Sequence, residues 1–185
     1  MNNFQSHSAE TTLQFEDGLD QYLTFMLADE EYGVDILRVQ EIKGWDGVTP
    51  MPNMPNFILG VINLRGTVVP IVDLRAHFGL PDVEFGETTV VIVVRVSGDE
   101  DSSERTMGVV VDAVSEVHNI ATGQLKPAPD FAGACSTDSI KGLVPQDDNM
   151  LILLDIDRLM NREVLSALAQ QETELTQPAA NTALV

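Results

Sequence analysis

The feature that most constrains this chain is that it says the same thing twice. Ile58-Leu-Gly-Val leads through a turn to Val69-Pro-Ile-Val-Asp-Leu-Arg, and Ile140-Lys-Gly-Leu leads to Leu151-Ile-Leu-Leu-Asp-Ile-Asp-Arg. Gly60 to Asp73 and Gly142 to Asp155 are both 13 positions apart. Upstream, Gly33-Val-Asp-Ile-Leu-Arg-Val-Gln-Glu-Ile resembles Gly108-Val-Val-Val-Asp-Ala-Val-Ser-Glu-Val, and a Pro-x-Pro follows each copy, at Pro50 and Pro52 and at Pro127 and Pro129. Four matches in the same order make each half one supersecondary unit, used twice. The units read as strand. Tyr22 to Leu27, Val34 to Val39, Val68 to Val72, Thr89 to Val96, Met107 to Val111 and Met150 to Leu154 are short, rich in β-branched residues and separated by turn residues. About five strands per half suggest two small antiparallel barrels packed side by side, since closing a sheet removes its exposed edges.

The expected fold is therefore mainly β: two five-stranded, SH3-like barrels related by duplication, with a short C-terminal helix. The expected division is a tail at 1–20, a compact domain at 21–170 and a second tail at 171–185. Within the domain the barrels are placed at about 21–86 and 87–162, and the helix at 155–170, starting from Asp155 or Asp157 as its N-cap. Ala28 to Gly33 reads as a hairpin, and Ser97 to Arg105 as a longer polar hairpin loop.

Charge narrows the partners. Lys plus Arg is 10 and Asp plus Glu is 29, for a net charge of −19, and the segment 21–162 is itself acidic, with 22 acids against 10 bases. Nucleic-acid affinity comes largely from Lys and Arg neutralising phosphates, so that class is excluded, and so is an anionic membrane surface. The partners should be proteins. Cys135 stands alone and cannot close an internal disulfide, which reads as a reducing cytoplasm. The first residues have no basic and apolar run of a signal peptide, and the longest apolar runs are far below the ~20 residues of a transmembrane helix.

Chemistry is hard to find. His7, His77 and His118 have no ligand spacing, and Cys135 has no companion, so no metal, no cofactor and no catalytic residue is expected. There is no nucleophile elbow and no phosphate-cradling glycine loop. A small hydrolase built on β-barrels would need a titratable cluster in a cleft, which the scattered histidines do not promise. Asp73 and Asp155 recur at equivalent points, just after an apolar strand, and read as helix or turn caps. Asn63-Leu-Arg-Gly differs: the second half has Pro145-Gln-Asp-Asp-Asn there, so the repeat is broken. Arg65 at a hairpin tip of an acidic protein presents a five-donor fork suited to a partner's carboxylate.

Three stretches, Glu30 to Ile42, Phe57 to Leu74 and Gly108 to Val117, closely resemble the CheW family, the bacterial chemotaxis adaptors that couple receptors to the histidine kinase CheA. The likeness covers about Gln21 to Ala169. It implies two SH3-like barrels around an apolar centre, in agreement with the repeat. The same domain occurs in CheA and in CheV, and the short segment after it here leaves no room for a receiver or kinase, so a stand-alone adaptor is the expectation. The resemblance further implies a cytoplasmic, non-catalytic scaffold with no direct membrane insertion. It would be recruited to receptor arrays by docking the regulatory domain of CheA and the cytoplasmic tip of a chemoreceptor. Carried over by position, Ile36, Val39, Glu41, Gly60, Arg65, Val90 and Val117 match places the family uses for kinase or receptor contact. Arg65 is the surest of them. Ile36 and Val39 lie on a run whose alternate residues could be core, and Gly60 could serve close backbone approach, as Gly142 would.

Overall fold

The computed structural model describes residues 18–98, 103–129 and 137–161. Strands β1 (Leu19–Leu27), β2 (Glu30–Asp35), β3 (Val39–Gly44), β4 (Ile58–Leu64) and β5 (Thr67–Asp73) lead to helix α1 (Leu74–His77). Strands β6 (Val90–Ser97), β7 (Glu104–Val111), β8 (Ala113–Ala121), β9 (Ile140–Gln146) and β10 (Asn149–Leu154) lead to helix α2 (Ile156–Met160). Each half thus supplies five strands and a short helix, as the duplication predicts. Asp73 and Asp155 cap the two helices as expected: the Asp73 carboxylate accepts from the Arg75 and Ala76 amides, and Asp155 from that of Arg158.

The ten strands form two five-stranded sheets, ordered β8-β1-β2-β10-β9 and β3-β6-β7-β5-β4. The expected split at 21–86 and 87–162 is not how the sheets divide. The first two strands of each half join the last three of the other half. As a result the second sheet is one continuous stretch, 39–111, inserted between the two parts of the first. The reason lies in Val34 to Val39, which reads as a single strand. It breaks at Ile36–Arg38, a 3-10 turn whose cap is the Asp35 carboxylate accepting from the Leu37 amide at 2.9 Å. That turn carries the chain from one sheet to the other, and Asp112 between β7 and β8 carries it back. β1 also begins two residues earlier than the expected domain, Leu19 pairing with Ala121. Residues 1–17 and 162–185, and with them most of the first expected tail, all of the second and positions 162–170 of the expected helix, lie outside the described residues, as do Cys135 and the tip of the Ser97 to Arg105 loop.

Registers repeat to the residue. β10 pairs in parallel with β2 so that Leu153 faces Gly33, and β5 pairs in parallel with β7 so that Ile71 faces Gly108. The segments bearing the Pro-x-Pro motifs also match. Thr49 and Val61 exchange backbone hydrogen bonds, both of 2.9 Å, and Lys126 and Leu143 do the same at 2.8 Å. These bridges tie the chain leaving β3 to β4, and the chain leaving β8 to β9, so the two ends of each sheet meet around its own interior.

Three apolar clusters result. Tyr22, Ile120, Val144, Leu151 and Leu153 fill one sheet's interior; Val69, Ile71, Val91, Val93 and Val110 fill the other's. Between the sheets lies the largest, with Phe25, Leu27, Ile92, Val94, Val109, Leu154 and Met160 among its members. This explains the unbroken run Val90 to Val94. Successive side chains point to opposite faces, and both faces are buried, Val91 and Val93 inside the sheet's own core and Ile92 and Val94 in the shared one. A stack of rings, Phe25 on Tyr32 and Tyr32 on Phe78, with centroids 6.1 and 5.7 Å apart, joins the first sheet to the chain just beyond α1.

The Asp73 cap carries a pH prediction. Burial is the largest influence on its carboxyl and raises its pKa above the ordinary value, against the hydrogen bonds from Ala76 and Arg75. A raised folded-state pKa means a contribution to stability that is full below the ordinary value and lost as pH climbs through the raised one. Asp73→Asn keeps the acceptor and removes the charge. It is expected to match or exceed the parent's thermal stability at pH 7, with that advantage shrinking near pH 4. Asp73→Ala, which removes the cap, should cost about 1 kcal/mol near pH 4 and less at pH 7, where the parent has itself lost that contribution.

Candidate partner-binding site

The β4–β5 hairpin closes through Arg65 and Gly66, at φ of +51° and +88°. Two positive-φ central residues are the pattern of a type I′ turn, which matches the twist of the flanking strands. The Asn63 side chain accepts from the Gly66 amide at 2.8 Å and stiffens the turn. Glycine takes such a φ at no cost, whereas a non-glycine residue there is strained, and Arg65 holds that conformation while its side chain remains 80% exposed. No core contact explains that choice of residue.

Arg65 is not alone. Its guanidinium lies 2.7 Å from the carboxylate of Glu41, which is only 24% exposed. Glu41 is on β3 and Arg65 follows β4, the strands at opposite ends of their sheet. Their meeting shows how far the sheet curls, and it joins two of the expected contact residues. Because Arg65 is so open to water, the pair itself contributes roughly 0–1 kcal/mol. The remaining donors of the fork are free to point outward.

The other candidates are scattered. Ile36 and Val39 flank the crossing between the sheets, half-buried against the shared core, so they line the junction while belonging partly to the interior. Val90 starts β6 opposite Gly44, at the far end of the β3–β6 ladder from Val39, and is also half-buried on the shared core. Val117 sits on β8 in the other sheet. Gly60 is buried, at a β-bulge where the register shifts between Ile58 and Gly60. It has φ +145°, and a Cβ there would fall on the Thr49 carbonyl. Gly60 is therefore architectural, reaching any partner only through the shape of the hairpin it supports.

Sequence reasoning missed Leu37. It is 83% exposed in the turn between the sheets, beside Ile36, which makes it the most open large apolar side chain among the described residues. Alternation misses it because a strand reading gives Leu37 no special place, whereas a turn turns it outward. A further signal lay in the repeat: Ile42 and Val117 are counterparts and are exposed to the same degree, 46% and 47%, and the counterparts Val68 and Met150 are both exposed, at 65% and 39%. Among the described residues, no group of three or more His, Cys, Asp or Glu side chains is placed to hold a metal ion, and no helix is long and apolar enough to cross a membrane.

Two interlocked β subdomains, with ion-paired and apolar side chains displayed at a hairpin tip and at their junction, define a scaffold. Comparison with known proteins gives the family. Residues 21–164 match the model of the CheW-like domain. The chain is 46% identical over 146 residues to the chemotaxis protein CheW of Klebsiella aerogenes, covering 79% of this chain and 84% of that protein. It is 35% identical over 147 residues to the CheW of Rhizobium meliloti, covering 80% and 91%. Among solved structures, the scaffolding protein TtCheW of Thermoanaerobacter tengcongensis superposes with a TM-score of 0.68 at 31% identity, covering 80% of this chain and 98% of that one. The chain belongs to the CheW family, the coupling adaptors of bacterial chemotaxis.

Proposed function

We propose that this chain couples chemoreceptors to the histidine kinase CheA by binding both at once, and that it transforms no substrate. The regulatory domain of CheA docks on one subdomain, and the cytoplasmic tip of a receptor lies near the junction. Arg65, Glu41, Ile36, Val39, Val90 and Val117 supply contacts, and Gly60 acts through the backbone it shapes. The observation that carries this reading is Arg65 itself: a strained, exposed arginine on a stiff turn, in a protein of net charge −19, serves recognition better than stability. Its partner residues are acidic. Each contact buries on the order of 800 Å² per partner, with a few anchors dominating, while rim charges act mainly on association rate. The chain works at the cytoplasmic side of the membrane through these proteins.

The test mixes purified protein with the CheA regulatory domain, with a receptor-tip fragment, and with both. Binding to each, and a three-part complex by sedimentation, is the expected result. No binding to either at roughly tens of micromolar would overturn the proposal.

A further inference from the structure

Among the described residues, two segments of chain connect the sheets, and each is pinned by an arginine–aspartate pair to the short helix leaving the neighbouring parallel strand. At the first crossing Arg38 pairs with Asp157 of α2; Arg38 also donates to the Ser97 hydroxyl, and Asp157 accepts from the Ser97 amide at 2.8 Å. At the second crossing Asp112 pairs with Arg75 of α1; Asp112 also accepts from the Ala28 amide at 2.7 Å, and Arg75 donates to the Pro81 carbonyl. Arg75 and Asp157 are counterparts in the repeat, each two residues beyond the capping aspartate. Asp112 is the counterpart of Leu37, next to Arg38. The two junctions are thus the same construction with the charges reversed.

The geometry points to a role for that reversal: it tells the duplicated halves apart and selects the exchanged arrangement of strands over the unexchanged one. The glycine contacts between the parallel strands do not do this. Gly33 lies beneath Leu153 and Gly108 beneath Ile71, the same glycine against the same kind of side chain in the same register. Were each half to fold upon itself, β2 would lie beside β5 and β7 beside β10, with a glycine again under an aliphatic side chain in each pair. Arg38 would then face Arg75, and Asp112 would face Asp157. Two like-charged pairs, all four side chains at least partly withdrawn from water, would oppose that topology. Discrimination comes from what the wrong arrangement brings together as much as from what the right one satisfies.

The test removes the difference while keeping both native pairs. R38D/D157R leaves an acid at both crossings and a base on both helices, so either topology is satisfied. R38D/R75D/D112R/D157R restores opposite polarity in mirror image. Both are refolded from guanidinium chloride beside the parent, and amide cross-peaks between Gly33 and Leu153 report the native β2–β10 pairing. R38D/D157R is expected to lose at least half of the parent's native refolding amplitude and to show a second set of resonances, while the fourfold variant regains a single state. If R38D/D157R refolds with undivided amplitude, or the fourfold variant refolds no better than R38D/D157R, polarity does not select the topology and the inference fails.

Discussion

Gly60→Ala is expected to destabilise the protein by about 3 kcal/mol or more, through a backbone conformation that side-chain-bearing residues rarely adopt and a Cβ that strikes main chain. For a chain of this size that corresponds to a fall in thermal midpoint of roughly 6–12 °C. The obstacle is the Thr49 carbonyl, main chain that accepts from the Val61 amide while the Thr49 amide donates to the Val61 carbonyl, so there is no side chain to rotate away. Gly142→Ala is the control. The same bulge recurs there, with Ile140 and Gly142 in place of Ile58 and Gly60, but without the positive φ, and the nearest atom is a Leu125 methyl at 3.0 Å. That substitution should cost about 1 kcal/mol, a typical single-residue change. Equal effects from the two substitutions in a melting experiment would show that the Gly60 conformation is not the cause. A loss of partner binding after substitution of Gly60 is accordingly a folding effect and does not mark Gly60 as a contact.

Arg65→Glu is expected to do the reverse: at least a tenfold loss of binding to whichever partner faces the hairpin, about 1.4 kcal/mol or more, with the thermal midpoint shifted by only a degree or two. The new carboxylate would face Glu41 as well as an acidic partner, while the exposed pair it replaces contributes little to the fold. Arg65→Asn separates recognition from strain. Asparagine tolerates the left-handed conformation and, followed by glycine, is favoured in this turn, so this variant should melt slightly higher than the parent while still binding more weakly than it, though less weakly than Arg65→Glu, which adds repulsion. A large drop in midpoint for both variants would make Arg65 a structural residue.

Much of this was legible in the chain. Local strand and turn signals located most strands, the two capping aspartates and the hairpin bearing Arg65, because these depend on residues close in sequence. Glu41 and Arg65 could be named one at a time, but their meeting could not, since it needs a sheet that curls until its two ends touch. Leu37 went unseen for a related reason. A two-residue period describes a strand, and Ile36–Arg38 is where the strand stops and the chain changes sheets.

The amino-acid order alone established that the protein is built twice from one β unit, because apolar alternation, turn residues and repeat spacing are local properties written along the chain. Which strands stand together was decided only in three dimensions. Each half carries a glycine facing an aliphatic side chain, Leu153 or Ile71, in the same register, so these pairs do not distinguish a half closing on itself from two halves exchanging strands. The halves differ where distant residues meet at the two crossings, where an arginine and an aspartate change places.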